Sequence, residues 1–395
     1  MSGLPTVGAV DRVDVERVHA WLRDRTVDLV ADLVALAELE TPSDDPELLN
    51  RGAKHIEEWV TDRLGEPTGR AAHTSEEHGP VLVMDYPGAG NTTLVGLCHY
   101  DTVFDAGILQ TWPVRVEGDR LSGPGVFDMK GGLVQFVWAL RALSELGLPR
   151  PPVRLVLNGD EEIGSPFSRP LLEAACADAA AVLVFEASAD GAVKTARKGV
   201  GLFSVTAHGV ESHAGLDPLA GASAIDEIAR VVTTLHDEAD LSVGTSINVG
   251  ILHGGTRANV VAGSARANLD VRVATAEERA RVDRLLASLA PRDDRAHLVV
   301  SGEWNRPVMP RTAGIGHMYD LAGGVASRLG VDLPEASVGG ASDGNFVAAL
   351  GIPVLDGLGA VGGGAHARHE HVSITGMVER SALAAGLVAA FARAD

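Results

Sequence analysis

The 395-residue sequence is poor in cysteine, with only Cys98 and Cys176, which lie far apart. This scarcity excludes a disulfide framework and a CxxC metal or redox site. No apolar run approaches the roughly 18 residues that a membrane-spanning helix needs, so we expect no membrane partner. The first residues contain no basic segment followed by an apolar one. We therefore expect no secretory signal and a cytoplasmic location.

Basic residues are scarce as well. The chain has 33 Lys and Arg against 53 Asp and Glu, which gives a net charge of −20 with neutral histidines. Because so negative a surface repels phosphate backbones, we expect no nucleic-acid partner. Apolar residues supply 46% of the chain, enough for a sizeable core, and the length suits two domains. These features leave an acidic globular enzyme or binding protein.

Buried strands and helices alternate in the first part of the chain. Helical spacing is present at residues 15–39 and 48–64, and again in the segment GGLVQFVWALRALSELG. Short apolar runs end in polar residues, as in TLVGLCHYD, VRLVLNGDEE and AAVLVFEA. This alternation predicts an α/β fold, with a mostly parallel sheet and helices on both of its faces.

The pattern changes after Lys198. Six segments then predict a strand, a helix, two strands, a helix and a strand: GLFSVTAHGVES, ASAIDEIARVVTTLHDEA, TSINVGILHGG, SARANLDVRVA, AEERARVDRLLASLA and AHLVVSGEW. The order β-α-β-β-α-β is typical of a ferredoxin-like unit. We therefore predict a small α+β domain at residues 198–304. It is inserted into a discontinuous larger domain formed by residues 1–197 and 305–395.

Side chains that can bind metal follow three of the predicted strands. They are His99 and Asp101 after the first, Glu161 and Glu162 after the second, and Glu186 after the third, with Asp128 in the glycine-rich segment GVFDMKGG. Ligands of open α/β sheets bind outside the carboxyl ends of the strands. Carboxylates combined with imidazole suit zinc or a similar divalent ion.

The spacing of these residues suggests a different role for each of them at a metal site. Because His99 and Asp101 lie two residues apart, they share one face of an extended chain, and Asp101 can orient the imidazole. Glu161 and Glu162 diverge, so one can hold a metal while the other faces a substrate. Five carboxylates on one rim would repel each other, and two cations roughly 3.5–4 Å apart would offset that charge. A Glu-Glu pair often lies on a solvated surface. The residues alone therefore do not exclude the alternative that these acids bind no metal.

A serine hydrolase is a remote alternative. The segment 340–344 spells GxSxG around Ser342, and Asp356 and His366 follow in the order used by α/β-hydrolases. The spacing from the serine to the histidine is very short for that fold.

Six segments, in order, resemble the motifs of zinc-dependent exopeptidases and deacylases, the family of glutamate carboxypeptidase, aminoacylase and acetylornithine deacetylase. They are CHYDTV, GPGVFDMKGG, NGDEEIGS, ESHAG, GGTRANVV and GGGAHARHEHV. The resemblance covers nearly the whole chain after the first helix. It implies a homodimeric enzyme whose inserted domain serves as lid and dimerisation domain.

The same resemblance implies two zinc ions per subunit, for which Co²⁺ or Mn²⁺ could substitute. Residue by residue, His99 and Glu186 would hold one ion, Glu162 and His366 the other, Asp128 would bridge them, Asp101 would orient His99, and Glu161 would be the general base. His213 of the lid would stabilise the oxyanion of the partner subunit's site.

The implied reaction is cleavage of an amide bond. By resemblance the enzyme is similar to glutamate carboxypeptidase, and it would release a C-terminal amino acid from a small peptide or act on N-acyl amino acids. A substrate carboxylate would need a cation, for which Arg272 and Arg306 are candidates, with Asn259 as a polar partner. The alternatives are an N-acyl-amino-acid deacylase of the aminoacylase or acetylornithine deacetylase type, and a non-catalytic binding protein that kept this fold.

Overall fold

The structure, a computed structural model, describes residues 4–392, and this part of the chain divides into two compact units. The large unit contains the residues up to Ala196, Arg311–Val338 and the residues from Ser342 onwards. The small unit contains Arg197–Pro310 and Gly339–Ala341. The predicted limits, 198 and 304, lie close to the ends of the longer segment of the small unit. That this unit serves as lid and dimerisation domain stays a prediction.

The helices are distributed over both units. Within residues 4–392 they are α1 (Val15–Arg23), α2 (Thr26–Ala37), α3 (Pro46–Leu64), α4 (Gly131–Glu145), α5 (Arg169–Cys176), α6 (Ala224–Asp237), α7 (Ala276–Ser288), α8 (Ala313–Leu329), α9 (Gly344–Ala349) and α10 (Ile374–Ala390). Short 3₁₀ turns lie at Val7–Arg12, Ile108–Gln110, Glu161–Ile163 and Pro218–Ala220, and a wider turn at Val126–Lys130. None of the described helices is long and apolar enough to cross a bilayer.

The strands form two main sheets and two small ones. In chain order they are β1 (Gly69–His73), β2 (Gly79–Tyr86), β3 (Leu94–His99), β4 (Arg115–Glu117), β5 (Arg120–Ser122), β6 (Val153–Gly159), β7 (Ala181–Val184), β8 (Val193–Arg197), β9 (Gly199–His208), β10 (Ser246–Gly254), β11 (Ser264–Val273), β12 (His297–Arg306), β13 (Glu335–Val338), β14 (Val354–Leu355), β15 (Gly362–Gly363) and β16 (His371–Ser373). The small sheets are β13-β8 and β15-β16-β5-β4.

The sheet of the large unit has the order β1-β2-β6-β3-β7-β14. The pairs β6–β3, β3–β7 and β7–β14 are parallel, whereas β2 pairs antiparallel with β6 and β1 with β2. The prediction of a mostly parallel α/β sheet is therefore confirmed. The sequence patterns did not predict β1 and β2, and the largely exposed β1 lacks the alternation that marks a half-buried strand.

Helices cover both faces of this sheet. Gly96 in β3 lies so close to Phe136 of α4 that a Cβ there would stand 1.9 Å from the ring. Its neighbour in sequence, Leu97, pairs with Val184 of β7 and therefore shares the opposite face with it. Val184 contacts Gly344 at the start of α9. The strands are thus buried on both faces, as their continuous apolar runs predict.

One predicted helical stretch, residues 15–39, proves to be two helices. Arg25, between α1 and α2, has a non-helical φ of −119° and ψ of 18°, and the hydroxyl of Thr26 donates to the carbonyl of Arg23. Leu22 and Leu29 on either side of the break are both fully buried in the same core. The apolar period therefore continues across the break and does not reveal it.

The small unit is a four-stranded antiparallel sheet with two helices. The strand order is β10-β11-β9-β12, and α6 and α7 connect β9 to β10 and β11 to β12. Its core joins residues from the sheet and from both helices, among them Val205, Val271, Ile228 and Val282. The order of elements matches the β-α-β-β-α-β pattern of the ferredoxin-like fold.

Candidate metal centre

Three parallel strands of the large unit end in candidate ligands. β3 ends at His99, the turn Glu161–Ile163 follows β6, and Glu186 lies two residues beyond β7. Because β6, β3 and β7 are neighbours in the sheet, their carboxyl ends meet at one edge. The fold therefore brings together residues that are far apart in the sequence.

Asp128 lies between two histidines. It is part of the wide turn Val126–Lys130, which leads into α4. Its Oδ1 is 3.4 Å from Nε2 of His99, and its Oδ2 is 3.3 Å from Nε2 of His366. The two oxygens of one carboxylate therefore face two different imidazoles, as expected for a bridging ligand.

Each histidine also faces a glutamate. Nε2 of His99 is 3.5 Å from Oε1 of Glu186, and Nε2 of His366 is 3.1 Å from Oε2 of Glu162. Each histidine and its glutamate therefore form a group of three donors with Asp128, and Asp128 belongs to both groups. We call these five residues, His99, Asp128, Glu162, Glu186 and His366, the ligand cluster.

The backbone of His366 has a left-handed conformation, with φ of +62°. Such a conformation is costly for a residue with a Cβ, and non-glycine residues that adopt it are often functional. The side chain of His366 is 53% exposed, so it closes the cluster from the solvent side. The two nearby histidines, His369 and His371, are not in contact with these acids within the described residues.

Asp101 orients His99 and also holds the turn after β6. Nδ1 of His99 donates to the backbone carbonyl of Asp101 at 3.1 Å and lies 3.4 Å from its carboxylate. With Nδ1 engaged in this way, Nε2 is the ring atom that faces Asp128 and Glu186. The carboxylate of Asp101 accepts hydrogen bonds from the backbone N–H groups of Glu161 and Glu162 and from the hydroxyl of Ser43. Ser43 had no signal in the sequence.

The charges in the cluster are tightly coupled. Burial lowers the pKa of His99, but the carboxylates of Asp101, Asp128 and Glu186 outweigh this and raise it well above its usual value. Asp128 and Glu162 raise the pKa of His366 to about 10. Burial alone would raise the pKa of Asp128, yet the two imidazoles lower it. In the absence of metal, protons on the histidines therefore offset part of the negative charge.

The cluster fits divalent cations. Nε2 of His99 and Oδ1 of Asp128 are buried and face each other at 3.4 Å, and within residues 4–392 neither has a partner with good hydrogen-bond geometry. Buried polar atoms of this kind are costly unless something binds them. Ligand atoms of His99, Asp128 and Glu162 lie within 4.8 Å of one another, as do those of His99, Glu161 and Glu186. Imidazole and carboxylate donors at this spacing suit zinc.

The remaining predicted residues lie in the small unit. His213 is exposed, and its Nδ1 accepts hydrogen bonds from the backbone N–H groups of Gly215 and Leu216 at 3.1 Å. A neutral ring therefore carries its proton on Nε2. Asn259 is exposed, and its backbone carbonyl accepts a hydrogen bond from the backbone N–H of Ala214.

The two candidate arginines already have partners. Arg272 on β11 forms a bidentate ion pair with Asp270, with distances of 2.7 and 2.8 Å. Arg306, at the end of β12, is 3% exposed and donates to the side chain of Asn305. Of the two, Arg272 is the more accessible.

Ser342 is not placed to act as a nucleophile. It is fully buried, its hydroxyl donates to Asp356 at 2.6 Å, and it accepts the backbone N–H of Gly344. No described hydrogen bond joins it to His366, which faces Asp128 and Glu162 instead. The serine hydrolase alternative is therefore wrong, because the GxSxG match is a buried turn before α9.

One buried acid beside the cluster has no role in the sequence-based assignment. Glu370, four residues after His366, is fully buried and accepts backbone hydrogen bonds from the turn that carries Asp128. Its only sequence signal is an acidic residue in a segment rich in histidine. Such a position is usually solvated surface, so the sequence alone does not distinguish it.

Residues 97–390 match the profile of a family described as Peptidase family M20/M25/M40. Carboxypeptidase G2 of Pseudomonas sp. (strain RS-16) is 31% identical over 375 residues, which cover 91% of this chain and 88% of that protein. Acetylornithine deacetylase of Myxococcus xanthus is 31% identical over 221 residues, which cover 53% of this chain and 57% of that protein.

A solved structure of a tripeptidase from Staphylococcus aureus has a similar fold. Its TM-score is 0.79 at 20% identity, and the match covers 93% of this chain and 99% of that chain. At this identity the likeness concerns the fold alone.

Proposed function

The chain belongs to the peptidase family M20/M25/M40, and from this premise we propose that it is a two-zinc carboxypeptidase acting on small substrates. The resemblance in the six sequence segments is thereby confirmed, and amide-bond hydrolysis is the reaction class. The substrate would be a small peptide or an N-acyl amino acid with a free carboxylate at the amino acid that is released.

The observation that carries this proposal is the position of Asp128. Its carboxylate lies between His99 and His366 at 3.4 and 3.3 Å, and the same Nε2 atom of each histidine also faces a glutamate. Three protein ligands on each side would leave room for water and substrate, as in catalytic zinc sites. His99 and Glu186 would hold one ion and Glu162 and His366 the other.

Glu161 would be the general base. A pair of bound divalent cations would supply a lowered pKa for water and a polarised amide carbonyl. Glu161 would take the proton of the attacking water and later give it to the nitrogen of the leaving amine. Its position supports this role, because its carboxylate lies near His99 and Glu186 at the metal centre, whereas Glu162 faces His366.

His213 would stabilise the oxyanion. With Nδ1 occupied by two backbone N–H groups, its neutral ring presents an N–H donor at Nε2. We propose that it acts in a homodimer, from the lid of one protomer towards the site of its partner.

We also propose that the enzyme has a cytoplasmic location.

A substrate carboxylate would bind to a cation, and Arg272 is the stronger candidate because it is more accessible than Arg306. Asn259, exposed in the segment GGTRANVV, would add a hydrogen bond. The ion pair with Asp270 would fix the orientation of the guanidinium of Arg272, whose Nη1 also donates to the carbonyl of Gly339 at 3.5 Å, and a substrate would compete for that N–H group.

A deacylase is the second candidate function, favoured by the similarity to acetylornithine deacetylase. The chemistry is the same, but the group on the other side of the amide would be a simple acyl group. The shorter coverage of that match makes this the weaker candidate.

The test is hydrolysis of a substrate panel by protein stripped with a chelator and then reloaded with Zn²⁺, Co²⁺ or Mn²⁺. The panel pairs N-acetyl and N-formyl amino acids with dipeptides and glutamyl-terminated compounds. We expect activity to vanish on stripping and to return with metal, with peptide or glutamyl compounds preferred. Faster cleavage of simple acyl groups would favour the deacylase. Metal binding without hydrolysis of any compound would favour a binding protein.

A further inference from the structure

A buried carboxylate next to the ligand cluster, that of Glu370, accepts three backbone hydrogen bonds. Its Oε1 accepts from Phe127 at 2.7 Å and from Asp128 at 2.9 Å, and its Oε2 accepts from Gly125 at 3.2 Å. All three donors belong to the segment that carries the bridging ligand. The side chain is fully buried, so these bonds are shielded from solvent.

The segment that carries Glu370 also carries His366. The N–H of Ala367 donates to Gly364, and that of Glu370 donates to Ala367, both at 2.9 Å, so residues 364–370 form two consecutive turns. The next residue, His371, begins β16, which pairs with β5. His366 and Glu370 are thus fixed relative to each other by a short, hydrogen-bonded stretch of backbone.

We propose that Glu370 is a positioning residue of the metal centre, which sets metal affinity by fixing the turn of Asp128 to the segment of His366. This inference rests on the proposed function, since it takes Asp128 and His366 as metal ligands. The two segments lie more than 200 residues apart in the sequence, and the carboxylate joins them directly. The backbone also joins the two segments, through the N–H of Gly123 and the carbonyl of Glu370, but the carboxylate is the link to the residues next to and including Asp128.

A carboxylate is the group that this position requires. Its two oxygens accept three N–H groups, and an apolar side chain would leave all three buried without partners. Glutamine offers one accepting oxygen, which could still serve Phe127 and Asp128, but its amide nitrogen would face the N–H of Gly125. Glu370 itself does not act as a ligand, since both of its oxygens are engaged by the backbone.

The chain offers a matched control in the small unit. Glu227 is 3% exposed and accepts backbone hydrogen bonds from Arg292 at 2.9 Å and from Asp293 at 3.1 Å. Its carboxylate therefore binds backbone N–H groups as that of Glu370 does, but on a loop that carries none of the proposed ligands. A substitution there removes a buried carboxylate clamp without touching the ligand cluster.

The experiment measures zinc affinity by competition with a chromophoric chelator for the metal-free full-length protein and for Glu370→Gln, Glu370→Ala and Glu227→Gln. Removal of groups that hold metal ligands in place typically costs 10–100-fold in affinity. We expect about 10-fold weaker zinc binding for Glu370→Gln and about 100-fold for Glu370→Ala. Glu227→Gln should bind zinc as the wild type does, even where its thermal unfolding shifts.

Zinc affinity of both Glu370 variants within twofold of the wild type would overturn the inference, and so would an equal loss in Glu227→Gln. If Glu370→Ala does not fold, Glu370→Gln alone carries the test. A wild-type protein that binds no zinc would instead overturn the proposed function, so the two failures are distinguishable.

Discussion

Two clusters of acids lie near the carboxyl ends of the strands in the large unit, and imidazoles face the acids of only one of them. Asp160 follows β6, Asp356 follows β14, and Asp343 precedes α9. We call these three acids the structural cluster. The ligand cluster lies beyond β3, β6 and β7 in the same sheet.

The partners of the two clusters differ. In the structural cluster, Asp343 accepts from the amide of Asn158 at 2.8 Å and from the hydroxyl of Ser165 at 2.5 Å, and Asp356 accepts from Ser342. In the ligand cluster the carboxylates face imidazoles, and two buried atoms have no partner with good hydrogen-bond geometry within the described residues. The same acidic residue type therefore has different surroundings in the two clusters, and we propose a metal-binding role only for the acids that face imidazoles.

The largest effect is expected from Asp128→Asn. The amide cannot bridge two cations, since one of its two atoms is a donor. We expect loss of at least one metal per chain and of hydrolysis down to background, measured by elemental analysis and by turnover of the best substrate. Two metals and normal turnover in this variant would contradict the bridging role.

The next largest effect is expected from Glu161→Gln. General bases contribute roughly 10²–10⁴-fold to a rate. We expect kcat to fall by about that factor while the metal content stays at the wild-type level. A variant that loses metal as well would make Glu161 a ligand, and full activity would remove the assignment as base.

A smaller effect of a different kind is expected from Asp343→Asn in the structural cluster. The amide would turn an N–H group towards Asn158 or Ser165 and leave a buried donor unsatisfied. The free energy of unfolding should fall by about 1–3 kcal/mol, measured by urea denaturation of the metal-free protein. Metal content should not change, and a loss of metal equal to that of Asp128→Asn would remove the distinction between the clusters.

The smallest effect concerns pH and the metal-free protein. Asp128 and Glu162 raise the pKa of His366 from 6.5 to about 10 in the folded state. Its stabilising contribution is thus complete below pH 6.5 and is lost as the pH rises through about 10. We expect stability to decline from pH 7 to pH 10 and zinc uptake at pH 8 to release protons.

The control for this prediction is His369→Gln, which changes an exposed histidine of the same segment. It should show the wild-type pH dependence, whereas His366→Gln should reduce it and leave the part that comes from His99. Proton release that is unchanged in His366→Gln would contradict the assignment.

The ends of the strands could be predicted because buried parallel strands have continuous apolar runs, and the polar residue after each run is visible in the sequence. The candidates His99, Asp101, Glu161, Glu162 and Glu186 were named in this way, and their role as ligands or catalytic groups stays a prediction. His366 follows no strand and shares its segment with two other histidines, so only the resemblance singled it out. Its contact with Asp128 joins residues more than 200 positions apart, which no local pattern encodes.

Other features could not be predicted from the sequence, also for physical reasons. The role of Glu370 depends on backbone N–H groups, which every residue carries, so no side-chain pattern marks it. The edge strand β1 is largely exposed, and the break at Arg25 lies inside a continuous apolar period. The spacing of two between Asp270 and Arg272 predicts that they share one face of β11, but it does not show that they form an ion pair.

The most direct test of the account counts zinc in the wild-type protein and in the Asp343→Asn and Asp128→Asn variants after stripping, reloading and removal of excess metal. The account predicts two zinc ions per chain in the wild type and in Asp343→Asn, and fewer in Asp128→Asn. A wild-type chain that holds no zinc, or an Asp128→Asn variant that still holds two, would contradict it.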